Sequence, residues 1–159
     1  MSYRLKICGE KNLRIHDIHE VVDQMDPLDG AIDFLHWLRT KCEVIILSDT
    51  FREFVSPLLN KLSQPTIFCH TLQIDQAGKI KDYLLRQQDQ KRQAVNALKD
   101  LNFHVLAAGD SYNDISMLQS AHHGIFFRPT QKITEEFPSF PVTHQYAELK
   151  LELQKHLNG

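Results

Sequence analysis

Val105-Leu-Ala-Ala-Gly-Asp-Ser-Tyr-Asn-Asp114 is the stretch on which the reading of this chain turns. The run Val105 to Ala108 is apolar and short, which suits a buried strand, and it stops at Gly109-Asp110. Asn113-Asp114 follows three residues on, and the pattern Ile115, Met117, Leu118 opens a helix. Two carboxylates and a carboxamide thus stand where a strand meets a helix, at the carboxyl end of an expected parallel sheet. Open α/β folds bind their ligands along that edge. Charge is normally kept from so apolar a strand end unless a metal ion or a paired cation is present. A lone Asp110 reads as a helix cap, accepting from free backbone N–H groups. The full Gly-Asp-x-x-Asn-Asp pattern points instead to a site for a cation and a phosphate.

Around this stretch the chain is ordinary in composition. Its 159 residues suffice for one domain with a sizeable core; 42% are hydrophobic, 24% are charged, and the formal net charge is −2. No basic excess argues for nucleic acid, and no apolar run approaches the ~20 residues that span a membrane. The first residues do not form a signal peptide, so a cytoplasmic protein is expected. Cys8, Cys42 and Cys69 are odd in number and lack metal-ligand spacing, which reads as reduced, mostly buried thiols.

Periodicity divides the chain into alternating helices and strands. Ile18, Val21, Val22 and Met25 predict a helix over 17–25, and Asp26-Pro-Leu-Asp-Gly30 a turn. A second helix is expected over 31–38, running on to Arg39. Glu43 to Leu47 reads as a buried parallel strand ending at Ser48-Asp49-Thr50, followed by a helix over 51–62. Ile67 to Ile74 and Ile80 to Leu85 flank Ala77-Gly78 as a hairpin. Helices are expected at 89–101, 113–121, 130–137 and 146–157, and strands at 104–108 and 124–127. The alternation argues for an α/β fold with a mostly parallel sheet.

Three strand-to-helix junctions carry candidate chemistry, in chain order. Ser48 offers a hydroxyl beside free N–H groups at a helix start, a natural phosphate cradle, although Ser caps helices everywhere. Lys91 and Arg92 lie near a helix N-terminus, where the macrodipole disfavours cations unless an anion is close. Asp110 and Asp114 supply hard oxygen ligands suited to Mg²⁺, which takes one or two carboxylates with phosphate and water. That order resembles the haloacid dehalogenase-like phosphatases. Leu47-Ser-Asp-Thr-Phe51, Asp89-Gln-Lys-Arg-Gln93, Ala107-Ala-Gly-Asp-Ser-Tyr-Asn-Asp114 and Glu136-Phe-Pro-Ser-Phe-Pro141 further resemble the bifunctional phosphoserine phosphatase/phosphoserine:homoserine phosphotransferases, along essentially the whole chain.

The resemblance implies a Rossmann-like three-layer α/β fold, with residues 1–30 as the remainder of a helical cap and 31–159 as an incomplete core. It implies Mg²⁺ as cofactor, phosphoserine as the small-molecule substrate, homoserine as a further acceptor, and a place in serine and threonine metabolism. Asp110 and Asp114 would form the metal site, Asp114 by ligation or by orienting a metal-bound water. Asn113 would contact substrate or phosphate. Ser48, with the Asp49 backbone, would hold phosphoryl oxygens, and Lys91 would balance their charge. Arg4 would grip the substrate carboxylate through a bidentate guanidinium contact.

One part of the family pattern is missing. The family reaction starts from a nucleophilic Asp paired with a second acid, Asp-x-Asp or Asp-x-Glu, after the first strand. No such pair occurs in this sequence, and Asp23-Gln-Met-Asp26 and Asp26-Pro-Leu-Asp29 fall in a helix end and a turn. The resemblance places that strand at the sheet centre, between the Ser48 and Asp110 strands. Four large apolar residues buried there would contribute about 8 kcal/mol, at ~2 each, comparable to a whole domain's net stability of about 5–15 kcal/mol. The expectation is an N-terminally truncated enzyme, rearranged or unstable, without phosphatase activity. A decayed paralogue that only binds a phosphorylated ligand is the alternative. A signalling receiver domain is disfavoured, because Lys91 opens a helix and the acidic cluster comes last.

Nine histidines invite a metal reading, but no Cys or third His falls at ligand spacing with His16 and His19 or with His122-His123. They are expected to be solvated or capping, Trp37 to pack, and Phe126-Phe127 to lie in a buried strand.

Overall fold

The structure is a computed structural model that describes residues 7–8 and 10–157; Arg4 lies outside the described residues. The chain divides into two compact units, residues 1–35 with 43–88, and residues 36–42 with 89–159.

The first unit begins with α1 (Ile15–Asp23), whose first turn is capped by Asp17 accepting from the Arg14 N–H at 2.7 Å. Lys61 closes the other end of α1, donating to the carbonyls of Asp23 and Met25 at 2.7 and 2.8 Å. Helix α2 (Ala31–Arg39) runs across the division between the units. Strand β1 (Ile45–Phe51) pairs in parallel with β2 (Thr66–Ile74), and β2 pairs antiparallel with β3 (Ile80–Leu84), giving the order β1-β2-β3. Between β1 and β2 lies α3 (Arg52–Lys61). Phe51, Leu59 and Leu72 form the buried centre, with the Phe51 ring 5.4 Å from Phe54 and 5.9 Å from Tyr83.

Two sequence expectations change here. The hairpin over 67–85 is real, but its first strand is also the second strand of the parallel sheet, because Ile45 to Leu47 ladder onto Thr66 to Phe68. The strand expected to be buried at 43–47 instead runs from Ile45 to Phe51, and only Phe51 is buried. β1 stands at the end of its sheet, so one flank of its apolar side chains has no neighbouring strand among the described residues.

The second unit contains α4 (Gln90–Asp100), β4 (Leu106–Gly109), a one-turn 3₁₀ helix (Tyr112–Asp114), α5 (Ile115–Ser120), β5 (His123–Phe127), α6 (Gln131–Glu136), β6 (Val142–Thr143) and α7 (Tyr146–Gln154). β4, β5 and β6 form a parallel sheet in that order. Its β5 carries Ile125 and Phe126 at 0% exposure and packs against α5 and α7, and Leu118, Ile133, Leu149 and Leu153 are buried as well. Gly124 is required by close packing, since a Cβ there would lie 2.6 Å from the Leu118 carbonyl oxygen. β6 has no counterpart in the sequence reading. It is two residues long, too short for a period-2 signal, and the Thr143 hydroxyl anchors it by donating to the Phe126 carbonyl at 2.8 Å. Trp37 packs as expected, with the Lys150 ammonium 4.7 Å from its ring centroid.

The mostly parallel α/β architecture matches the expected fold class. Among the described residues, no helix is long and apolar enough to cross a membrane. Cys8, Cys42 and Cys69 are free thiols, but half-buried rather than buried.

Candidate phosphoryl-transfer site

β4 ends at Gly109, and the chain turns through Asp110 and Ser111 into the 3₁₀ turn that leads to α5. The turn is organised by Asp114, a carboxylate only 5% exposed. Its Oδ2 accepts from the Asp110 N–H at 3.0 Å, the Ser111 N–H at 3.1 Å and the Ser111 hydroxyl at 3.0 Å. Its Oδ1 accepts from the Lys91 ammonium at 2.7 Å. Burial by itself would raise the Asp114 carboxyl, yet the Lys91 hydrogen bond and charge and the two backbone N–H groups hold it below the ordinary carboxylate range. A buried pair of this kind is tolerable because the remaining lone pairs also find donors.

This arrangement corrects the helix-cap reading of Asp110. Asp114, not Asp110, accepts the free N–H groups, while Asp110 is exposed at the edge and contributes a backbone donor. The sequence did hold the signal. Ser111-Tyr-Asn-Asp114 before Ile115 has the spacing of a capping box, a hydroxyl with an acid three residues on. The same packing explains Gly109: a Cβ there would lie 2.5 Å from the Asp114 Cβ.

Lys91 stands in the first turn of α4, where the macrodipole opposes a cation, and Asp114 is the anion that makes the position favourable. Arg92 hydrogen-bonds Asp89 through Nε. The Asp89 backbone is left-handed at φ +46°, and its other carboxylate oxygen accepts from the Ser116 hydroxyl at 2.9 Å. Asp89 therefore links the start of α4 to the start of α5, a role the sequence reading missed. Tyr112 extends the same network, donating its hydroxyl to Glu136 at 2.7 Å. Asn113 lies exposed in the 3₁₀ turn.

Ser48 and Asp49 belong to the first unit, near the end of β1. Leu47 pairs with Phe68 and Phe51 with His70, so three residues of β1, Ser48 to Thr50, stand opposite one of β2. The surplus forms a bulge, a device that re-aims side chains at sheet edges. Within it the Thr50 N–H donates to the Ser48 hydroxyl oxygen at 3.3 Å. His70, missed by the sequence reading, is buried beside this bulge at 4% exposure, with Nε2 4.0 Å from Asp49 Oδ1.

The geometry thus brings Lys91, Asp110 and Asp114 together in one unit, and Ser48, Asp49 and His70 together in the other. Among the described residues, no group of three His, Cys, Asp or Glu side chains is placed to enclose a cation. Both Asp114 oxygens already take donors, which leaves Asp110 as the exposed carboxylate of the motif. A single protein carboxylate completed by phosphate and water is one of the ways Mg²⁺ is held.

The remaining histidines are not simply solvated. His122 Nδ1 accepts from the Val105 N–H at 3.0 Å, His104 lies 4.6 Å from His122 between centroids, and His123 stacks on His156 at 3.6 Å. Among the described residues this cluster forms no group of three side chains placed to hold a metal ion.

A family model described as haloacid dehalogenase-like hydrolase matches residues 3–122. The phosphoserine phosphatase ThrH of Pseudomonas aeruginosa is 49% identical over 155 residues, which cover 98% of this chain and 76% of that protein. A phosphoserine phosphatase of Pseudomonas syringae pv. tomato is 46% identical over 158 residues, covering 99% of this chain and 67% of that protein. The fold resembles a substrate-bound phosphoserine phosphatase complex with a TM-score of 0.72, at 21% identity over 89% of this chain and 70% of that one. A phosphoserine phosphatase in apo form matches with a TM-score of 0.71, at 22% identity over 88% and 73% of the two chains. The chain belongs to the haloacid dehalogenase-like hydrolases, and its relatives among them are phosphoserine phosphatases.

Proposed function

We propose that this chain carries the phosphoryl-binding and charge-balancing part of a Mg²⁺-dependent phosphoserine phosphatase site. The observation that supports it best is the buried Lys91–Asp114 pair at the carboxyl end of β4, with the exposed Asp110 on the same turn. A positive charge held at this strand end would offset the charge of a phosphoryl group bound beside the turn. In the first unit, Ser48 with the Asp49 backbone would bind phosphoryl oxygens, a role that rests on the family resemblance. Asn113 would contact the substrate, and Asp110 would hold the metal ion, with Asp114 orienting Lys91 and the turn. Bound there, Mg²⁺ would supply charge neutralisation at the transferring phosphoryl group.

Hydrolysis in this chemistry also needs an acid that attacks phosphorus and a second that protonates the leaving alkoxide. The sequence contains neither Asp-x-Asp nor Asp-x-Glu at any position. Residues 1–159 by themselves are therefore proposed to bind phosphate without turning over phosphoserine. Phosphoserine as the substrate class is supported by the names of the two pseudomonad relatives. Homoserine as an acceptor, and Arg4 as the carboxylate clamp, rest on the family resemblance alone.

Two measurements on the purified chain test this. Inorganic phosphate with Mg²⁺ is expected to raise the melting temperature, and Lys91→Met to abolish that rise. Phosphate release from phosphoserine is expected to stay at the buffer rate; Mg²⁺-dependent turnover by residues 1–159 would overturn the proposal.

A further inference from the structure

We infer that His70 is a positioning residue for the phosphoryl-binding bulge, acting through Asp49; this rests on the proposed role of Ser48 and deepens it. His70 lies on β2 at 4% exposure, against the Phe51 ring at 6.1 Å between centroids. An imidazole buried in such a place costs solvation that Leu or Phe would not, so packing alone does not account for it. One of its nitrogens has a plain duty: Nδ1 accepts from the Arg86 N–H at 3.1 Å. That bond assigns the lone pair to Nδ1 and, in the neutral ring, the proton to Nε2. Nε2 faces Asp49 Oδ1 at 4.0 Å, a separation too long for a direct hydrogen bond but suited to attraction between a polarised N–H and a carboxylate.

The target of that attraction is the bulged segment itself. Asp49 is the middle residue of the three that stand opposite Cys69, between Ser48 and Thr50, whose N–H donates to the Ser48 hydroxyl oxygen. A bulge interrupts the ladder, so a side-chain contact at its apex helps to set its conformation. His70, locked by Arg86 on one side and Phe51 on the other, provides a fixed donor for the side chain at its apex. Burial, opposed by the Asp49 charge, keeps the His70 imidazole below its usual pKa, so the neutral ring is the form present near pH 7.

His70→Asn and His70→Gln separate the two nitrogens. An Asn carbonyl replaces Nδ1 and satisfies Arg86 but does not reach Asp49, whereas a Gln amide replaces Nε2 and does. NMR of the full chain is expected to show a protonated Nε2 and an unprotonated Nδ1 on His70. In His70→Asn, the amide resonances of Ser48, Asp49 and Thr50 should shift, while Leu72 and Tyr83 stay in place. His70→Gln should return them towards the wild type. Titration with inorganic phosphate should weaken about fivefold in His70→Asn, the scale of one polar contact, and much less in His70→Gln. Asp49→Asn should reproduce the loss, and adding His70→Asn to it should cost nothing further. Equal effects of Asn and Gln, additive losses in the double variant, or a proton on Nδ1 would overturn the inference. Failure of the wild-type chain to bind phosphate would sink the functional reading instead, and the response of Asp49 to the two variants would still judge the positioning role.

Discussion

β5 and β1 are short strands with similar apolar content, Gly-Ile-Phe-Phe in one and Ile-Ile-Leu in the other, and they end up in different environments. Ile125 and Phe126 of β5 are fully buried, whereas Ile45, Ile46 and Leu47 of β1 are only half-buried. β5 runs between β4 and β6 and packs against α5 and α7; β1 has β2 on one flank and, among the described residues, no strand on the other. Apolar content selects the strand, but neighbours on both flanks complete its burial. The same contrast holds between the candidate residues of the two units. The carboxylate that organises the Asp110–Asp114 turn accepts four donors, while the Ser48–Thr50 segment bulges away from its ladder.

If the second unit is the closed half, its interior should be the less forgiving. Asp114→Asn leaves the Lys91 ammonium buried without its carboxylate and is expected to cost about 3–5 kcal/mol, read from urea denaturation. Gly109→Ala should fall in the same range, because its Cβ and the Asp114 side chain occupy the same space. A loss below about 1 kcal/mol for both would show that the turn is not held by Asp114.

The strands themselves give the next comparison. Phe126→Ala removes a fully buried ring and is expected to cost about 3–5 kcal/mol. Ile46→Ala, on a half-buried strand, should cost nearer 1 kcal/mol. Hydrogen exchange, read separately for β4–β6 and β1–β3, keeps the units apart where a single melting curve would average them. Equal costs would mean that β1 is buried in solution by something the described residues do not include.

Acid should reach the second unit in two stages, and both lower its stability. The native His122 and His123 imidazoles are held below their usual pKa, first by desolvation and then by neighbouring cations, His104 and Lys99 for His122, His156 and His104 for His123. The unfolded chain therefore takes up these protons first, so stability present above pH 6.5 falls as pH drops through 6.5 towards the native values. Asp114 is likewise depressed, and its contribution persists until pH falls below 3.8, the ordinary carboxylate value. His123→Gln should flatten the upper stage in a melting series from pH 8 to 5 and leave the lower one intact. An unchanged profile would remove the histidine cluster as its cause. This is the smallest expected effect, because these rings lie near the surface.

Much of the fold was legible from spacing. Helices over 17–25, 31–39, 51–62 and 89–101 appear within two or three residues of the expected ends, since each has an apolar face and a turn or cap to stop it. The strand at Gly124–Phe127 was clear because it is short and uniformly apolar, with Ile125 and Phe126 fully buried. Less clear were β6, two residues held to β5 by backbone bonds and the Thr143 hydroxyl, and the double duty of β2 as hairpin and parallel strand. In the site, Lys91 and the Asp110–Asp114 cluster stood out as charges at helix starts. His70 and Asp89 did not, because their partners lie 21 and 27 residues away in the chain, at Asp49 and Ser116.

The sequence alone determined the family, the alternation of strands and helices, and the chemical types gathered at the strand ends, because these follow from residue identity and local spacing. Only the tertiary structure decided which of the two aspartates in Gly-Asp-Ser-Tyr-Asn-Asp is buried and which is exposed. Both sit in the same polar turn; the capping-box spacing marks Asp114 as the acceptor of its N–H groups, but local sequence does not say which carboxylate is buried. Lys91, 23 residues earlier, breaks the tie by placing its ammonium against Asp114, so that Asp114 is spent on holding the turn and Asp110 is left facing outwards.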